Sequence, residues 1–184
     1  MRGTLVLVVG PSGAGKDTLI AAARKALAGD PLFVFVRRMV TRDAIADLED
    51  HDTISWAEFN ASRQSGACGL AWEAHGLGYA LPGSIRDDLD AGKVVVANVS
   101  RHVVAEAVQR FARCVVIAVA ANAKVRAARL AGRGREDAIE VAARLSRQVE
   151  DQWAGAHAVT VDNSGDLATS TAAFIAALSR AAGK

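Results

Sequence analysis

A glycine-rich segment near the start of the chain has the residue types and spacing of a phosphate-binding loop. It reads Gly10-Pro11-Ser12-Gly13-Ala14-Gly15-Lys16-Asp17 and lies between an apolar run at residues 5–9 and a helical pattern that begins at Thr18. The glycines let the backbone curl so that several N–H groups point at one anion, and the helix N-terminus adds positive partial charge. Lys16 is placed to reach the β- and γ-phosphates of a nucleotide. The segment therefore predicts a nucleoside triphosphate bound by residues 10–18.

One residue of this loop departs from the common pattern. The lysine is normally followed by Ser or Thr, whose hydroxyl binds Mg²⁺, and here it is followed by Asp17. Such enzymes also place a carboxylate at the end of a nearby core strand, where this chain has Asn98. Because Mg²⁺ accepts any arrangement of oxygen ligands that fits, we expect the charge facing the metal to have moved from the strand to Asp17. The alternative is that Asp17 only caps the helix.

Size and composition restrict the class of protein. The 184 residues are enough for one domain with a buried core, and the net charge of +2 predicts no nucleic-acid partner. Cys68 and Cys114 have no metal-ligand spacing and predict buried, reduced thiols. No stretch approaches the ~20 apolar residues of a membrane span, and the first apolar run leads into the loop rather than a cleavage site. We expect a cytoplasmic protein with small-molecule partners and no membrane contact. Its oligomeric state stays open, with a homodimer as one alternative.

Strand and helix patterns alternate along the chain. Strands are predicted at residues 5–9, 32–40, 94–99, 114–119 and 158–161. Helices are predicted at residues 18–28, 84–91, 101–111, 124–130, 138–149 and 167–182. This alternation predicts an α/β fold, with a parallel β-sheet covered by helices on both faces.

A more irregular stretch, residues 41 to about 83, interrupts the alternation. Within it, Ser55 and Glu58 form a capping-box pattern that opens a short helix, and two strands at 69–75 and 77–81 meet at Gly76. We expect a single domain, residues 1–184, with its core at 1–36 and 84–184 and a small acceptor-binding insert at about 37–83. The cluster Glu49-Asp50-His51 is predicted to be a surface loop.

The chain resembles the guanylate kinase family of P-loop kinases over nearly its whole length. The resemblance rests on the order and spacing of residues 10–16, Val40-Thr41-Arg42, Ala74-His75-Gly76-Leu77-Gly78-Tyr79, Gly92-Lys93, residues 129–134 and Arg144. It implies a P-loop NTPase fold of guanylate-kinase-like shape, with ATP and Mg²⁺ bound at the loop. It also implies an arginine-bearing lid at about residues 129–144.

The departures from that family concern the acceptor. Guanylate kinases bind guanine with acidic and hydroxyl side chains, and alignment puts Leu70 and Leu81 at two of those positions and Asn98 and Ser100 at two others. The family's second arginine is replaced by Ile45. One unmade buried hydrogen bond costs roughly 1–3 kcal/mol. Two or three such losses therefore predict that guanine is rejected.

The same departures are similar to a sister family, the ribose 1,5-bisphosphate phosphokinases of bacterial phosphonate metabolism. That family has Asp after the loop lysine, a T-R motif, a W-x-A-H-G-L-x-Y segment and an N-x-S-R segment. This chain has Asp17, Thr41-Arg42, Trp72-Glu73-Ala74-His75-Gly76-Leu77-Gly78-Tyr79 and Asn98-Val99-Ser100-Arg101. The resemblance implies the reaction ATP + α-D-ribose 1,5-bisphosphate → ADP + 5-phospho-α-D-ribose 1-diphosphate (PRPP).

Phosphoryl transfer to an acceptor that is already a phosphate requires positioning and charge neutralisation, and arginine is suited to grip phosphate oxygens. The resemblance implies Lys16, Arg133 and Arg144 as catalytic residues, Arg129 as a nucleotide contact and Asp17 as the metal ligand. The implied acceptor-binding residues are Arg38, with Arg37 as its alternative, Arg42, His75, Tyr79, Ser100 and Arg101. The structural alternatives are a solvated helix face for the lid arginines, a core position for Trp72 and Tyr79, and a structural role for His75. The sequence leaves the adenine contacts open, with the Asp162-Asn163-Ser164 loop as one candidate.

Two other functions stay open from the sequence. A guanylate or other nucleoside monophosphate kinase would share the ATP site and the lid and differ only in the acceptor pocket. A non-catalytic module of guanylate-kinase shape would tend to lose the loop lysine and the lid arginines, whereas this chain keeps Lys16, Arg133 and Arg144.

Overall fold

The computed structural model of the chain describes residues 3–42, 51–131 and 155–183. Its larger sheet has five strands: β1 (Thr4–Val9), β2 (Phe33–Phe35), β7 (Val94–Asn98), β8 (Cys114–Ala120) and β9 (His157–Asp162). The strand order is β2-β7-β1-β8-β9, and every neighbouring pair is parallel. β1 is buried along its whole length, as expected for a central parallel strand covered on both faces.

Helices cover both faces of this sheet, because successive side chains of a strand point in opposite directions. Leu5 and Leu7 of β1 pack with α3 (Ile85–Asp90) and α4 (Val104–Arg110), which follows a 3₁₀ turn at Arg101–Val103. Val6 and Val8 pack on the opposite face with α1 (Lys16–Ala26) and α6 (Leu167–Ala181). The predicted α/β architecture is therefore confirmed.

A second, four-stranded sheet lies within the stretch that the sequence marked as irregular. It consists of β4 (His51–Thr53), β3 (Arg38–Val40), β6 (Leu77–Leu81) and β5 (Leu70–Ala74), in that order. β3 pairs parallel with β4, and β6 pairs antiparallel with both β3 and β5. We call it the small sheet.

The two faces of the small sheet pack on different partners. Ala80 lies against the buried Phe59 of α2 (Trp56–Gln64). On the other face, Leu70, Trp72 and Leu81 join the core cluster beneath the large sheet. The small sheet is thus anchored beside the carboxyl ends of the core strands.

The structure corrects the sequence prediction at two places in this region. The predicted strand at 32–40 is two strands in different sheets, because β2 pairs with β7 while β3 turns away to pair with β4 and β6. No glycine or proline marks the switch, but the apolar run is interrupted there by Arg37 and Arg38, which the prediction of one strand passed over. His51, expected in a surface loop, is 2% exposed and begins β4.

Other predicted elements agree with the structure to within a few residues. The Ser55–Glu58 capping box is present, with Glu58 N donating to Ser55 Oγ at 3.2 Å and Ser55 N donating to Glu58 Oε2 at 2.7 Å. α5 spans Ala123–Ala131. The predicted helix at 138–149 lies outside the described residues. Among the helices of the described part, none has the length and apolar character needed to span a membrane.

Candidate active site

A cleft opens where the carboxyl ends of β1 and β7 meet the small sheet. The two strands are parallel neighbours with Val8 opposite Asn98, so the segments that follow them emerge side by side. Open α/β sheets bind ligands at this edge. The cleft has a volume of about 640 Å³, which suits a small-molecule site.

The glycine-rich loop at residues 10–17 forms one wall of the cleft. Two of its glycines have backbone angles that other residues rarely adopt, with φ of 78° at Gly13 and 88° at Gly15. A side chain would also clash there: a Cβ on Gly13 would lie 2.9 Å from Arg126 O, and one on Gly15 would lie 2.4 Å from Asn163 Nδ2. The curled backbone that the sequence predicted therefore depends on glycine at both positions.

Lys16 directs its ammonium group back over this loop. Its Nζ donates to the carbonyl oxygens of Gly10 at 2.9 Å and Pro11 at 3.3 Å. Lys16 is also the first residue of α1, whose N-terminus points at the cleft. The positive charge thus lies where the helix dipole also favours an anion.

Asp17 lies at the junction of three structural elements. Its Oδ1 accepts a hydrogen bond of 2.6 Å from Asn98 Nδ2 at the end of β7. The same oxygen is 3.9 Å from a guanidinium nitrogen of Arg38 on β3. The N-cap of α1 is Gly15, and the helix has no side-chain cap, so these contacts do not support a capping role for Asp17.

The side of the loop that faces away from the cleft is held by two side chains. Asn163, which is 1% exposed, donates from Nδ2 to the Ala14 carbonyl at 2.8 Å. Arg129 of α5 reaches the carbonyls of Gly13 and Ala14 at 3.5 and 3.3 Å. These bonds engage carbonyl oxygens of the loop from outside the cleft, and Ala14 N–H is bonded within the loop to Pro11 O at 3.2 Å.

The small sheet supplies the opposite wall. Trp72 and Tyr79 are directly opposite each other on β5 and β6, and their rings are stacked with centroids 5.5 Å apart and planes at 7°. The guanidinium carbon of Arg38 lies 5.8 Å from the centroid of the Tyr79 ring, over its face. All three side chains line the cleft.

Two further groups of side chains border the cleft. Ser100, Arg101 and His102 follow β7 and lie beside the glycine-rich loop. His75 lies in the tight turn between β5 and β6 with φ of 53°, a left-handed conformation that costs a residue with a side chain roughly 1–2 kcal/mol. Glu73, also in the lining, is ion-paired with Arg63 at 2.7 Å.

The cleft is therefore lined by several cationic side chains and hydrogen-bond donors. Lys16, Arg38 and Arg101 line it together with two histidines, and the carboxylates in the lining are Asp17 and Glu73. In residues 3–42, 51–131 and 155–183, no three His, Cys, Asp or Glu side chains form a group that could hold a metal. Asp17 beside Asn98 fits Mg²⁺ only if a bound nucleotide supplies the remaining oxygen ligands. The arrangement suits two phosphorylated molecules bound next to each other.

Comparison with known proteins agrees with this arrangement. Ribose 1,5-bisphosphate phosphokinase PhnN of Brucella melitensis is 47% identical over 174 residues, which cover 95% of this chain and 91% of the relative. The protein of the same name from Methylobacterium radiotolerans is 53% identical over 148 residues, covering 80% of this chain and 84% of the relative. The chain belongs to the ribose 1,5-bisphosphate phosphokinase family.

The fold is similar to that of solved kinases. Guanylate kinase from Anaplasma phagocytophilum superposes with a TM-score of 0.71 at 16% identity, covering 100% of this chain and 88% of that one. The predicted guanylate-kinase-like fold is thereby confirmed. No protein-family model matches the chain.

In this member of the ribose 1,5-bisphosphate phosphokinase family, the cleft brings together most of the residues that the sequence singled out. Those that line it are Gly10, Pro11, Ser12, Gly13, Gly15, Lys16, Asp17, Arg38, His75, Tyr79, Ser100 and Arg101. Ala14 is buried in the core, Arg129 contacts the outside of the loop, and Thr18 and Arg42 are not part of the lining. Arg133 and Arg144 lie outside the described residues. The functional roles of all these residues stay predictions.

Arg42 belongs to a segment fixed by neighbouring strands. Thr41 N donates to Gly78 O at 3.0 Å, and Gly78 N donates to Thr41 Oγ1 at 2.8 Å. The Arg42 carbonyl accepts a hydrogen bond of 3.0 Å from Thr53 Oγ1. The backbone of the T-R motif is thus held between β6 and β4.

Sequence reasoning missed two features of this family member's site. His102 borders the cleft, and its position directly after Arg101 at the end of a core strand was the available signal. The bond from Asn163 to Ala14 spans 149 positions in the chain, and no local pattern could have indicated it. Both cysteines are free thiols: Cys68 is buried as predicted, whereas Cys114 is only partly buried, and burial raises its pKa to about 11.

Proposed function

We propose that the chain transfers the γ-phosphoryl group of ATP to the 1-phosphate of α-D-ribose 1,5-bisphosphate, giving ADP and PRPP. The observation that carries this proposal is the cleft itself, where a phosphate-binding loop faces a second group of cationic and polar side chains. Membership of the ribose 1,5-bisphosphate phosphokinase family supports the same reaction.

This reaction requires the protein mainly to position the two substrates and to neutralise their negative charge. A bond forms between the γ-phosphorus and an oxygen of the acceptor's 1-phosphate. The bond from that phosphorus to the β–γ bridging oxygen breaks, and this oxygen leaves as part of ADP. The attacking oxygen is already ionised, so no general base is needed. The protein's task is to hold two anions together and to neutralise the charge on the transferred group.

We assign the donor side of this reaction to the glycine-rich loop. Its N–H groups and Lys16 hold the β- and γ-phosphates, while Asn163 and Arg129 fix the loop from behind. Asp17 would hold Mg²⁺, which supplies charge neutralisation between the phosphates when bound. We place Arg133 and Arg144 at the transferred group as well, on the family resemblance alone.

The acceptor side is assigned to the small sheet and to the segment after β7. Arg38 and Arg101 can each grip a phosphate bidentately, and the acceptor carries one phosphate at each end. His75 and Ser100 provide hydrogen bonds for the ribose hydroxyls. We place Arg42 with the acceptor's phosphates on the family resemblance alone; its carbonyl is bonded to Thr53 of β4, and the residue does not line the cleft.

Phosphorus NMR of the purified protein with ATP and Mg²⁺ tests this function. Parallel samples contain ribose 1,5-bisphosphate or GMP. We expect the diphosphate signals of PRPP and ADP in the first sample and unchanged GMP in the second. GDP formation with no reaction of the sugar would instead identify a nucleoside monophosphate kinase, and no turnover in either sample would indicate a binding module.

A further inference from the structure

The face of the small sheet that borders the cleft carries a continuous row of three flat side chains. β6 lies between β5 and β3, and Tyr79 is opposite Trp72 on one side and Val40 on the other. Arg38 precedes Val40 by two positions and therefore points to the same face. Tyr79 is stacked on Trp72 and lies under the Arg38 guanidinium, so its ring is covered from both neighbouring strands.

Trp72 is fixed in this row by the core beneath it. Its side chain is 8% exposed although it also borders the cleft, and it packs in one cluster with Leu70, Leu81 and Val103. A tryptophan buries a large apolar area, so swinging the ring outward would expose both the indole and the leucines. Trp72 therefore acts as a rigid boundary of the cleft.

This boundary determines which acceptors the cleft can bind. Proteins gain affinity for a nucleobase by offering it a free aromatic face, and here the faces of Tyr79 are occupied by Trp72 and Arg38. On this side Arg38 is placed to bind a phosphate, and Glu73, Ala74 and His75 complete the lining without a second stacked pair of rings. A phosphorylated sugar makes the available contacts, whereas a base would lose its hydration without gaining a stacking partner.

We propose that Trp72 is a specificity-determining residue, which occupies the space beside Tyr79 that a nucleobase would need and so restricts the acceptor to phosphorylated sugars. This inference rests on the proposed function, because it concerns the acceptor half of the same cleft. Discrimination against nucleobases would then come from the space that Trp72 fills and from the covered ring of Tyr79. It would add to the effect of the missing side chains that bind guanine in guanylate kinases.

The test compares acceptor binding in the wild type, Trp72→Leu and Trp72→Phe. Trp72→Leu removes the flat ring but keeps apolar contact with the core, whereas Trp72→Phe keeps an aromatic ring against Tyr79. Calorimetry with the nucleotide site saturated by ADP and Mg²⁺ gives the dissociation constants of GMP, CMP and ribose 5-phosphate. Thermal melts show that each variant is folded.

For the wild type, we expect the nucleoside monophosphates to bind no more tightly than ribose 5-phosphate. In Trp72→Leu, GMP should gain about tenfold relative to ribose 5-phosphate, since stacking on the uncovered ring becomes available. Trp72→Phe should stay within about threefold of the wild type, because the ring remains covered.

Two results would overturn the inference: a folded Trp72→Leu with the wild-type ratio, or a wild type that already prefers GMP. If Trp72→Leu does not fold, Trp72→Met takes its place and the same ratio decides. The test compares the dissociation constants of GMP and ribose 5-phosphate, so its outcome does not depend on whether the protein catalyses a reaction. A protein that fails to phosphorylate ribose 1,5-bisphosphate would refute the proposed function without altering the reading of this experiment.

Discussion

At the scale of single residues, the most informative contact is the one between Asp17 and Asn98. The carboxylate lies on the loop and the amide at the strand end, 2.6 Å apart. The sequence predicted that the metal-facing charge had moved between these two positions, and the structure places the two side chains in contact. Exchanging them would keep one carboxylate and one neutral side chain at nearly the same place.

This proximity leads to a prediction for Mg²⁺. Asp17→Ser should raise the Mg²⁺ concentration needed for half-maximal activity by about tenfold, because a charged oxygen ligand is lost. Asp17→Ser combined with Asn98→Asp should recover part of that loss. Titration of activity with Mg²⁺, and of Mn²⁺ binding by electron paramagnetic resonance in the presence of ADP, measures both effects.

Asn98→Asp alone and the double variant Asp17→Ser/Asn98→Asp are the controls for this prediction. Asn98→Asp alone places two carboxylates in contact and should not improve on the wild type, since their repulsion raises the cost of ionising both. If Asp17→Ser leaves the Mg²⁺ dependence unchanged, or the double variant recovers nothing, Asp17 is not the metal ligand.

At the scale of elements, the site depends on contacts between segments that are distant in the chain. The loop after β9 fixes the glycine-rich loop through Asn163, and α5 fixes it through Arg129. If the loop binds ATP as proposed, these contacts would fix its shape before the ligand binds. Preorganisation of this kind reduces the ordering cost of binding.

The Asn163 contact predicts a selective loss of nucleotide affinity. Asn163→Ala should raise KM for ATP about five- to thirtyfold, corresponding to roughly 1–2 kcal/mol for the lost bond and the distorted loop. KM for ribose 1,5-bisphosphate should stay within about twofold, because the acceptor wall is built by other elements. Steady-state kinetics with each substrate varied in turn shows the difference.

Ser170→Ala provides a matched control for this change. Ser170 is 4% exposed and its hydroxyl donates to the Asp162 carbonyl at 3.0 Å, so it is a buried side-chain bond to the same segment without contact to the glycine-rich loop. It should lower stability and leave KM for ATP unchanged. An equal rise in KM with both variants would show that Asn163 acts only through general stability. If Asn163→Ala raised KM for ATP but not for GTP, Asn163 would contact the adenine instead.

The sequence predicted the large sheet well because its strands carry local signals. Residues 5–9, 94–97 and 114–119 are continuous apolar runs, which is the pattern of parallel strands covered on both faces. The small sheet was only partly predictable. β5 and β6 are joined by a tight turn and were found, whereas β4 has three residues, includes a histidine and an aspartate, and gains its place only by pairing with β3.

The candidate site divides in the same way. Residues 10–17 form a contiguous motif, so their side of the cleft could be predicted from spacing alone. Arg38 and Tyr79 lie far apart in the chain, and their contact follows from the register of β3 on β6, which no composition reveals. The family resemblance implied that both residues contact the acceptor, and the structure shows that they lie next to each other.

At the scale of the whole molecule, the cleft carries three basic side chains against two acidic ones. The net charge is +2, yet Lys16, Arg38 and Arg101 border a single cleft. Both substrates are anions, so the local charge rather than the overall charge governs their attraction.

Ionic strength should therefore affect binding more than chemistry. Raising the salt concentration from about 0.05 to 0.5 M should increase KM for ribose 1,5-bisphosphate several-fold and change kcat little, because screening is strong beyond about 4 Å at the higher value. Arg101→Ala should show a shallower dependence, since one of the attracting charges is gone. A KM independent of salt in the wild type would mean that this cluster does not bind the acceptor.

The central claim is that a phosphorylated ribose binds between the glycine-rich loop and the small sheet. A crystal structure of the protein with ADP, Mg²⁺ and ribose 1,5-bisphosphate tests it most directly. The account predicts that the ADP β-phosphate lies within the loop at residues 10–17 and that the sugar's phosphates lie within hydrogen-bond reach of Arg38 and Arg101. A sugar bound elsewhere, or a nucleobase seated against Trp72 in a parallel GMP complex, would contradict it.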